Sequence, residues 1–357
     1  MKNHETVESL AEDLQEATEN ARSALIYAPN TVGKTRLAQH LKNRDPESVI
    51  LYNSYVEDVF AWDNDRVILT TSPGSELLKT IEHQGLDGTI IKNFQNFTND
   101  RVEPTFDFAN GEISFGVYSG DDRTTEYIKI SRAEESIFIW SVYYSMLSDA
   151  VDTLLDSPEL RSTTDYDCLT LAVIDDPVSS MDDVRIVSVA LALVDLIKRA
   201  SSLDLKFLVT THHALFFNVL FNSLSKSNRK KHYAFILKRG AVEGWTLAKQ
   251  SSDSPFSYHM GIIEDIGQAI SGNAIQRIHF NQFRALLEKT ASFLGYTGGW
   301  SQLLTGPDAR LLTKVLNLLS HDRFAELESA VISDEYKSAL KGEFETFLKE
   351  FRWKSAA

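Results

Sequence analysis

Four groups of residues in this 357-residue chain have types and spacing suited to chemistry: Gly33-Lys34-Thr35, Asp175-Asp176, His212, and the set Arg284, Glu288 and His321. The first closes the run Ala28-Pro29-Asn30-Thr31-Val32-Gly33-Lys34-Thr35, which follows the apolar stretch Ser23 to Tyr27 and leads into an amphipathic pattern from Arg36. Strand, loop and helix in that order, with Gly-Lys-Thr at the helix start, is the setting in which backbone N–H groups and a helix dipole cradle phosphate. In that role Asn30 and Gly33 shape the loop, Lys34 reaches the β and γ oxygens, and Thr35 ligates Mg²⁺. Ala28 stands where the usual pattern has its first glycine.

Leu169-Thr170-Leu171-Ala172-Val173-Ile174 is an apolar run of strand length that ends in Asp175-Asp176. It reads as a strand buried on both faces that delivers two carboxylates to its carboxyl edge, where open α/β sheets bind ligands. In an ATP-hydrolysing protein Asp175 would hold Mg²⁺ through water and Asp176 would orient the attacking water. The plainer reading is a polar cap on a core strand. A second buried strand, Leu205 to Thr210, ends at Thr211-His212-His213, so His212 is a candidate γ-phosphate sensor or else a helix-capping histidine.

Ser131-Arg132-Ala133-Glu134 opens the long apolar helix pattern from Ser136. By itself this is an N-capped core helix. It also resembles the ABC-type signature, with Ala133 in place of the glycine, and there Ser131 and Glu134 would meet a nucleotide held by a second subunit. Asp182, after Ser179-Ser180, matches the loop that crosses the dimer interface in such ATPases. Phosphate loop, signature, paired acids and switch histidine stand in the one order this class allows. The expectation is therefore an α/β ABC-type P-loop ATPase head that binds ATP or GTP with Mg²⁺ and works as a head-to-tail homodimer, with further assembly left open. Asp176 replaces the more usual glutamate and has a shorter reach, which points to slow, switch-like hydrolysis.

The remaining elements fit that head. Val49 to Tyr52, Asn53 to Phe60 and Val67 to Thr70, with a helix from Ser75, continue the α/β alternation, and Thr105 to Tyr118 alternate about Asn110-Gly111 as a hairpin. No heptad run appears, so the long coiled coil of some ABC-type relatives is not expected. Gln250 to Pro255 is the natural boundary, giving an ATPase domain at residues 1–254 and an all-α domain at 255–357. The first carries 25 Lys and Arg against 38 Asp and Glu, the second 11 against 12. A net charge of −14 argues against coating nucleic acid by charge alone, although Lys226, Arg229, Lys230, Lys231, Lys238 and Arg239 form one basic cluster. The N-terminus begins a polar helix pattern, about Glu5 to Arg22, with no apolar targeting run, and a cytoplasmic location without a membrane span is expected. One cysteine, Cys168, excludes disulfides within the chain and thiolate metal sites.

In the helical part, Arg284 and Glu288 fall on one helix face, a spacing that also suits an ordinary ion pair. His321 follows the helix pattern ending Asn317-Leu318-Leu319-Ser320, where a histidine also serves as a simple cap. Together with Tyr52 to Asp58, the Asp-Asp-Pro-x-Ser-Ser-x-Asp block and Thr211-His212, these residues make the chain resemble the PrrC-type bacterial anticodon nucleases. That resemblance implies an Arg284, Glu288 and His321 nuclease triad and metal-independent tRNA cleavage in the anticodon loop. It also implies a phage-defence role, switched on through the ATPase and controlled by a separate restriction-modification or phage-encoded partner. Glu288 and His321 would divide the acid and base work while Arg284 stabilises charge. Tyr296 and Trp300 are candidate base-stacking side chains or core aromatics. Two other readings remain: a regulatory ABC-type ATPase whose tail binds a toxin or DNA-processing subunit, and a repair ATPase of the RecF or SMC kind.

Overall fold

The structure is a computed structural model that describes residues 2–53, 60–71, 75–98, 101–118, 124–178, 181–228, 231–239, 244–250, 257–320 and 332–351. Ser54 to Asp58, Ser179-Ser180, Arg229, Lys230 and His321 lie outside the described residues. The chain divides into two compact units, 1–255 and 256–357.

The first unit is built on a seven-stranded sheet. Its strands in chain order are β1 (Lys2–His4), β2 (Ser23–Tyr27), β3 (Val49–Tyr52), then β9 (Leu171–Asp175), β10 (Lys206–Thr211), β11 (His232–Arg239) and β12 (Trp245–Lys249). They lie in the order β1-β12-β11-β2-β10-β9-β3. From β11 to β3 the pairings are parallel, while β12 and β1 add antiparallel at one edge. Parallel strands buried on both faces need apolar residues at every position, and all five residues of β2 are buried.

The helix expected over about Glu5 to Arg22 forms inside those bounds. Lys2–His4 is extended, pairing with β12 so that His4 faces Trp245, and the helix α1 (Val7–Ala17) starts only after the Thr6 cap, whose hydroxyl accepts from Ser9 N.

A second, antiparallel sheet holds β4 (Ala61–Asp63), β5 (Ile68–Thr70), β6 (Val102–Asp107), β7 (Glu112–Tyr118) and β8 (Thr124–Tyr127), ordered β4-β5-β7-β6 with β8 on β7. Gly111, at φ 68°, makes the β6–β7 turn as the Asn-Gly pair requires. Between the chain's β3 and β9 also run α3 (Glu76–Gln84), α4 (Asp87–Thr98) and the long α5 (Arg132–Leu155). Phe94, Phe115 and Phe138 meet where α4, β7 and α5 converge, with ring centroids 5.1–6.0 Å apart, while Trp140 on the other side of α5 meets Tyr52 of β3 edge-on at 5.3 Å. Burying each such ring contributes about 1.5–3 kcal/mol, and together they hold the start of α5 in place. Helices α2 (Lys34–Arg44), α6 (Asp183–Arg199) and α7 (Ala214–Asn228) follow β2, β9 and β10.

The second unit has α8 (Ser257–Ser271), α9 (Arg277–Leu294), α10 (Ala309–Ser320) and α11 (Asp334–Glu350) around its own core. Phe280, Phe283, Leu286 and Leu287 recur at helical spacing on α9, and the Phe283 ring meets Phe344 and Phe347 of α11 edge-on at 5.4 and 5.7 Å. Gly295, at φ 77°, ends α9 in a left-handed cap. No helix of the described residues is long and apolar enough to cross a membrane.

Candidate functional site

Sheet order assembles the first site. β10 inserts between β2 and β9, with Thr211 opposite Tyr27 and Thr210 opposite Asp175, so three carboxyl ends align at one edge. The loop leaving β2 turns through Thr31 at φ 67° and Gly33 at φ 113° before Lys34 starts α2. Gly33 suits both its left-handed backbone and the close approach of Trp245, whose Nε1 would lie 2.9 Å from a Cβ there.

Lys34 is buried, and its Nζ donates to Ala28 O at 3.1 Å, Pro29 O at 3.2 Å and Asn30 Oδ1 at 3.3 Å. It also pairs with Asp176 Oδ2 at 3.4 Å. Thr35 Oγ1 donates to Asp175 Oδ2 at 2.6 Å, and Thr210 Oγ1 donates to the other oxygen of Asp175. Asp176 leaves the strand at φ 55°, a left-handed turn that aspartate tolerates, and Thr211 Oγ1, His212 N and the His212 ring all bond its carboxylate.

These surroundings split the two acids. Burial pushes the Asp175 carboxyl above its ordinary value, with the Asp176 charge adding to the rise and the two threonine hydroxyls opposing it. Burial also raises Asp176, but the His212 hydrogen bond and the Lys34 ammonium outweigh it and hold that carboxyl below the usual range. Burial and the neighbouring His212 lower the His213 imidazole. Hard oxygen donors from Thr35 and Asp175, already 2.6 Å apart, fit Mg²⁺.

Ser131 and Glu134 form a reciprocal capping box at the start of α5, with Ser131 N donating to Glu134 Oε2 at 2.6 Å and Glu134 N to Ser131 Oγ at 3.3 Å. Asp182 caps α6, accepting from Val184 N and Arg185 N, and pairs with Arg185 Nη1 at 2.7 Å. Arg239, from the basic cluster, reaches Thr31 O at 3.4 Å. Cys168 is exposed in the turn before β9. The sequence assigns no role to Thr210 or Trp245; the Thr-Thr pair at the end of a buried strand is a signal for the first, and nothing local marks the second.

The second site lies on α9 and α10. Arg284 Nε donates to Glu288 Oε1 at 2.8 Å, and its Nη1 donates to Asn317 Oδ1 at 3.0 Å and Leu316 O at 3.2 Å. The guanidinium carbon sits 5.1 Å from the centre of the Trp300 ring. Cation–π contact, ion pair and carbonyl thus fix the Arg284 fork from several sides, leaving its side chain 20% exposed against 48% for Glu288. Two helical turns back, Arg277 reaches Leu319 O at 3.3 Å. His321, four residues beyond Asn317, lies outside the described residues. Trp300, a candidate base-stacking residue, has its ring over Arg284, while Tyr296 is exposed.

The fold and these two clusters define a class: an α/β head with a Gly-Lys-Thr loop between strand and helix, followed by a helical unit that carries an Arg–Glu pair. No family model matches the chain. The anticodon nuclease of Escherichia coli is 38% identical over 89% of this chain and 86% of its own length, and the chain belongs to the anticodon nuclease family. Among solved structures, an SMC head bound to the winged-helix domain of ScpA is similar with a TM-score of 0.35 at 10% identity, over 65% of this chain and 90% of that one. The SMC head of Thermotoga maritima gives 0.30 at 11% identity over 65% and 91%, and an RNase-L inhibitor 0.32 at 11% over 70% and 37%.

Proposed function

We propose that this chain is a nucleotide-gated ribonuclease that cuts tRNA in the anticodon loop as a phage-defence effector. The observation that carries the reading is the Arg284 cluster, a cation held rigidly beside a half-exposed carboxylate in a member of the anticodon nuclease family.

RNA cleavage of this kind needs no metal. Glu288 takes the 2′-OH proton and the 2′ oxygen attacks phosphorus. Arg284 balances the charge of the phosphorane, and His321 protonates the departing 5′ oxygen. The products are a 2′,3′-cyclic phosphate and a 5′-OH. Arg284 suits its part because Glu288, Asn317 and Trp300 set the plane of its fork before substrate arrives.

In the head, a nucleotide would supply a hydrolysable phosphoryl group and Mg²⁺ would offset its charge. Lys34, Asn30 and Gly33 hold the phosphates, Thr35 and Asp175 hold the metal, Asp176 orients water, and His212 senses the γ position. Ser131, Glu134 and Asp182 serve the second nucleotide of a head-to-tail homodimer.

The test is sequencing of tRNA 5′-OH ends from cells expressing the wild type, Arg284→Ala and His321→Ala, before and during phage infection. A discrete anticodon-loop break confined to the wild type is expected. Absence of any break in both conditions would sink the nuclease reading and favour a regulatory ATPase whose tail binds a partner.

A further inference from the structure

The hydrolytic residues occupy one side of the phosphate loop. In the sheet order, Asp175, Asp176 and His212 come from β9 and the end of β10, on one flank of β2, whereas β11 and β12 lie on the other. With its γ-phosphate toward Asp176 and His212, a nucleotide must run its ribose and base toward β11 and β12.

A large aromatic surface is built there. Trp245, half-buried on β12, donates its indole N–H to Val32 O within the loop. Its ring packs so closely under Gly33 that a Cβ would meet three of its atoms at 2.9–3.4 Å. Arg36, exposed on the first turn of α2, lays its guanidinium 5.5 Å from the ring centre. Arg239 Nη2 holds Thr31 O from the same flank. A planar cation over an indole, next to a phosphate loop, takes the place that a planar base would occupy.

We propose that Trp245 is the stacking platform for the nucleobase, with Arg36 as the movable outer leaf that rides over the base once it enters. The inference rests on the nucleotide-binding reading of the head and deepens it. The indole N–H is already spent on Val32 O, so the platform meets the base by its face and offers Trp245 no donor for the base edge. It therefore separates a nucleotide from a bare triphosphate, and does not separate adenine from guanine.

The experiment compares Mg²⁺ complexes of ATP, GTP and tripolyphosphate, titrated calorimetrically into the full chain as wild type, Trp245→Leu and Trp245→Phe. Stacking on one aromatic ring predicts that Trp245→Leu weakens ATP and GTP alike by about tenfold and leaves tripolyphosphate within about twofold. Trp245→Phe, which keeps a ring and loses the N–H, should restore most of the nucleotide affinity. ATP should also quench tryptophan fluorescence in the wild type and not in Trp245→Phe. Equal losses for ATP and tripolyphosphate would overturn the proposal and leave Trp245 as a prop for the loop, as would no loss at all. If the wild type binds neither ligand, the nucleotide-binding reading fails first and takes the platform with it.

Discussion

Asp175 is a residue where stability and function pull apart. Its carboxylate is 1% exposed and its neutral form is favoured by burial, so at neutral pH the charged form costs stability that an uncharged side chain does not. Asp175→Asn keeps an acceptor for the threonine hydroxyls and removes the charge. The expected outcome is a higher melting temperature in the absence of nucleotide together with loss of nucleotide hydrolysis; a lower melting temperature would show that the carboxylate is net stabilising. Arg284 makes the opposite case, since its fork serves Glu288, Leu316 O and Asn317 while lying over Trp300. A lysine offers one point charge and no plane. Arg284→Lys should therefore lower tRNA cleavage by about 100-fold or more with an unchanged circular dichroism spectrum.

Single elements aim these side chains. Helix α10 brings Asn317 and Leu316 O to Arg284, and its approach is anchored by Glu343 of α11, a buried carboxylate that accepts Gly306 N at 3.0 Å and Asp308 N at 2.9 Å. Gly306 has no side chain because a Cβ would meet Glu343 Oε1 at 2.3 Å. Glu343→Ala strands two backbone donors and should cost about 1–3 kcal/mol, read as faster amide exchange at the start of α10. Cleavage should fall with it, although Glu343 is not part of the Arg284 cluster; unchanged exchange in α10 would remove the anchoring role. At the head, Gly33→Ala meets both a φ of 113° and the Trp245 indole, so it should abolish nucleotide binding while the sheet still forms.

At the scale of the molecule, the chain has two units with separate cores, and the proposed function assigns each a different chemistry. Gating means that a change confined to the phosphate loop must silence a ribonuclease site in the other unit. Lys34→Ala leaves every residue of the Arg284 cluster in place, and cells expressing it should show no tRNA 5′-OH ends and no growth defect, as with His321→Ala. Growth arrest with 5′-OH ends persisting in Lys34→Ala would mean that the nuclease runs without the head.

Local physics made much of this legible beforehand. The run from Ser23 to Thr35, the acid-ended strand Leu171–Asp175, the Ser131 capping box and the Arg284–Glu288 spacing are all set by neighbours within a few residues, where periodicity and capping chemistry act. Tertiary structure decided the rest, because those contacts join residues far apart in the chain. Thr35 meets Asp175 across 140 positions, His212 meets Asp176 across 36, and Trp245 reaches Val32 across 213. Strand order alone puts β10 between the phosphate loop and the paired acids, and pairing with β12 makes Lys2–His4 an edge strand. Helix spacing likewise shows that Arg284 and Glu288 share a face, but only the packing of α10 and the 3-10 turn at Trp300–Leu303 against α9 decides that Asn317 and Trp300 close around them.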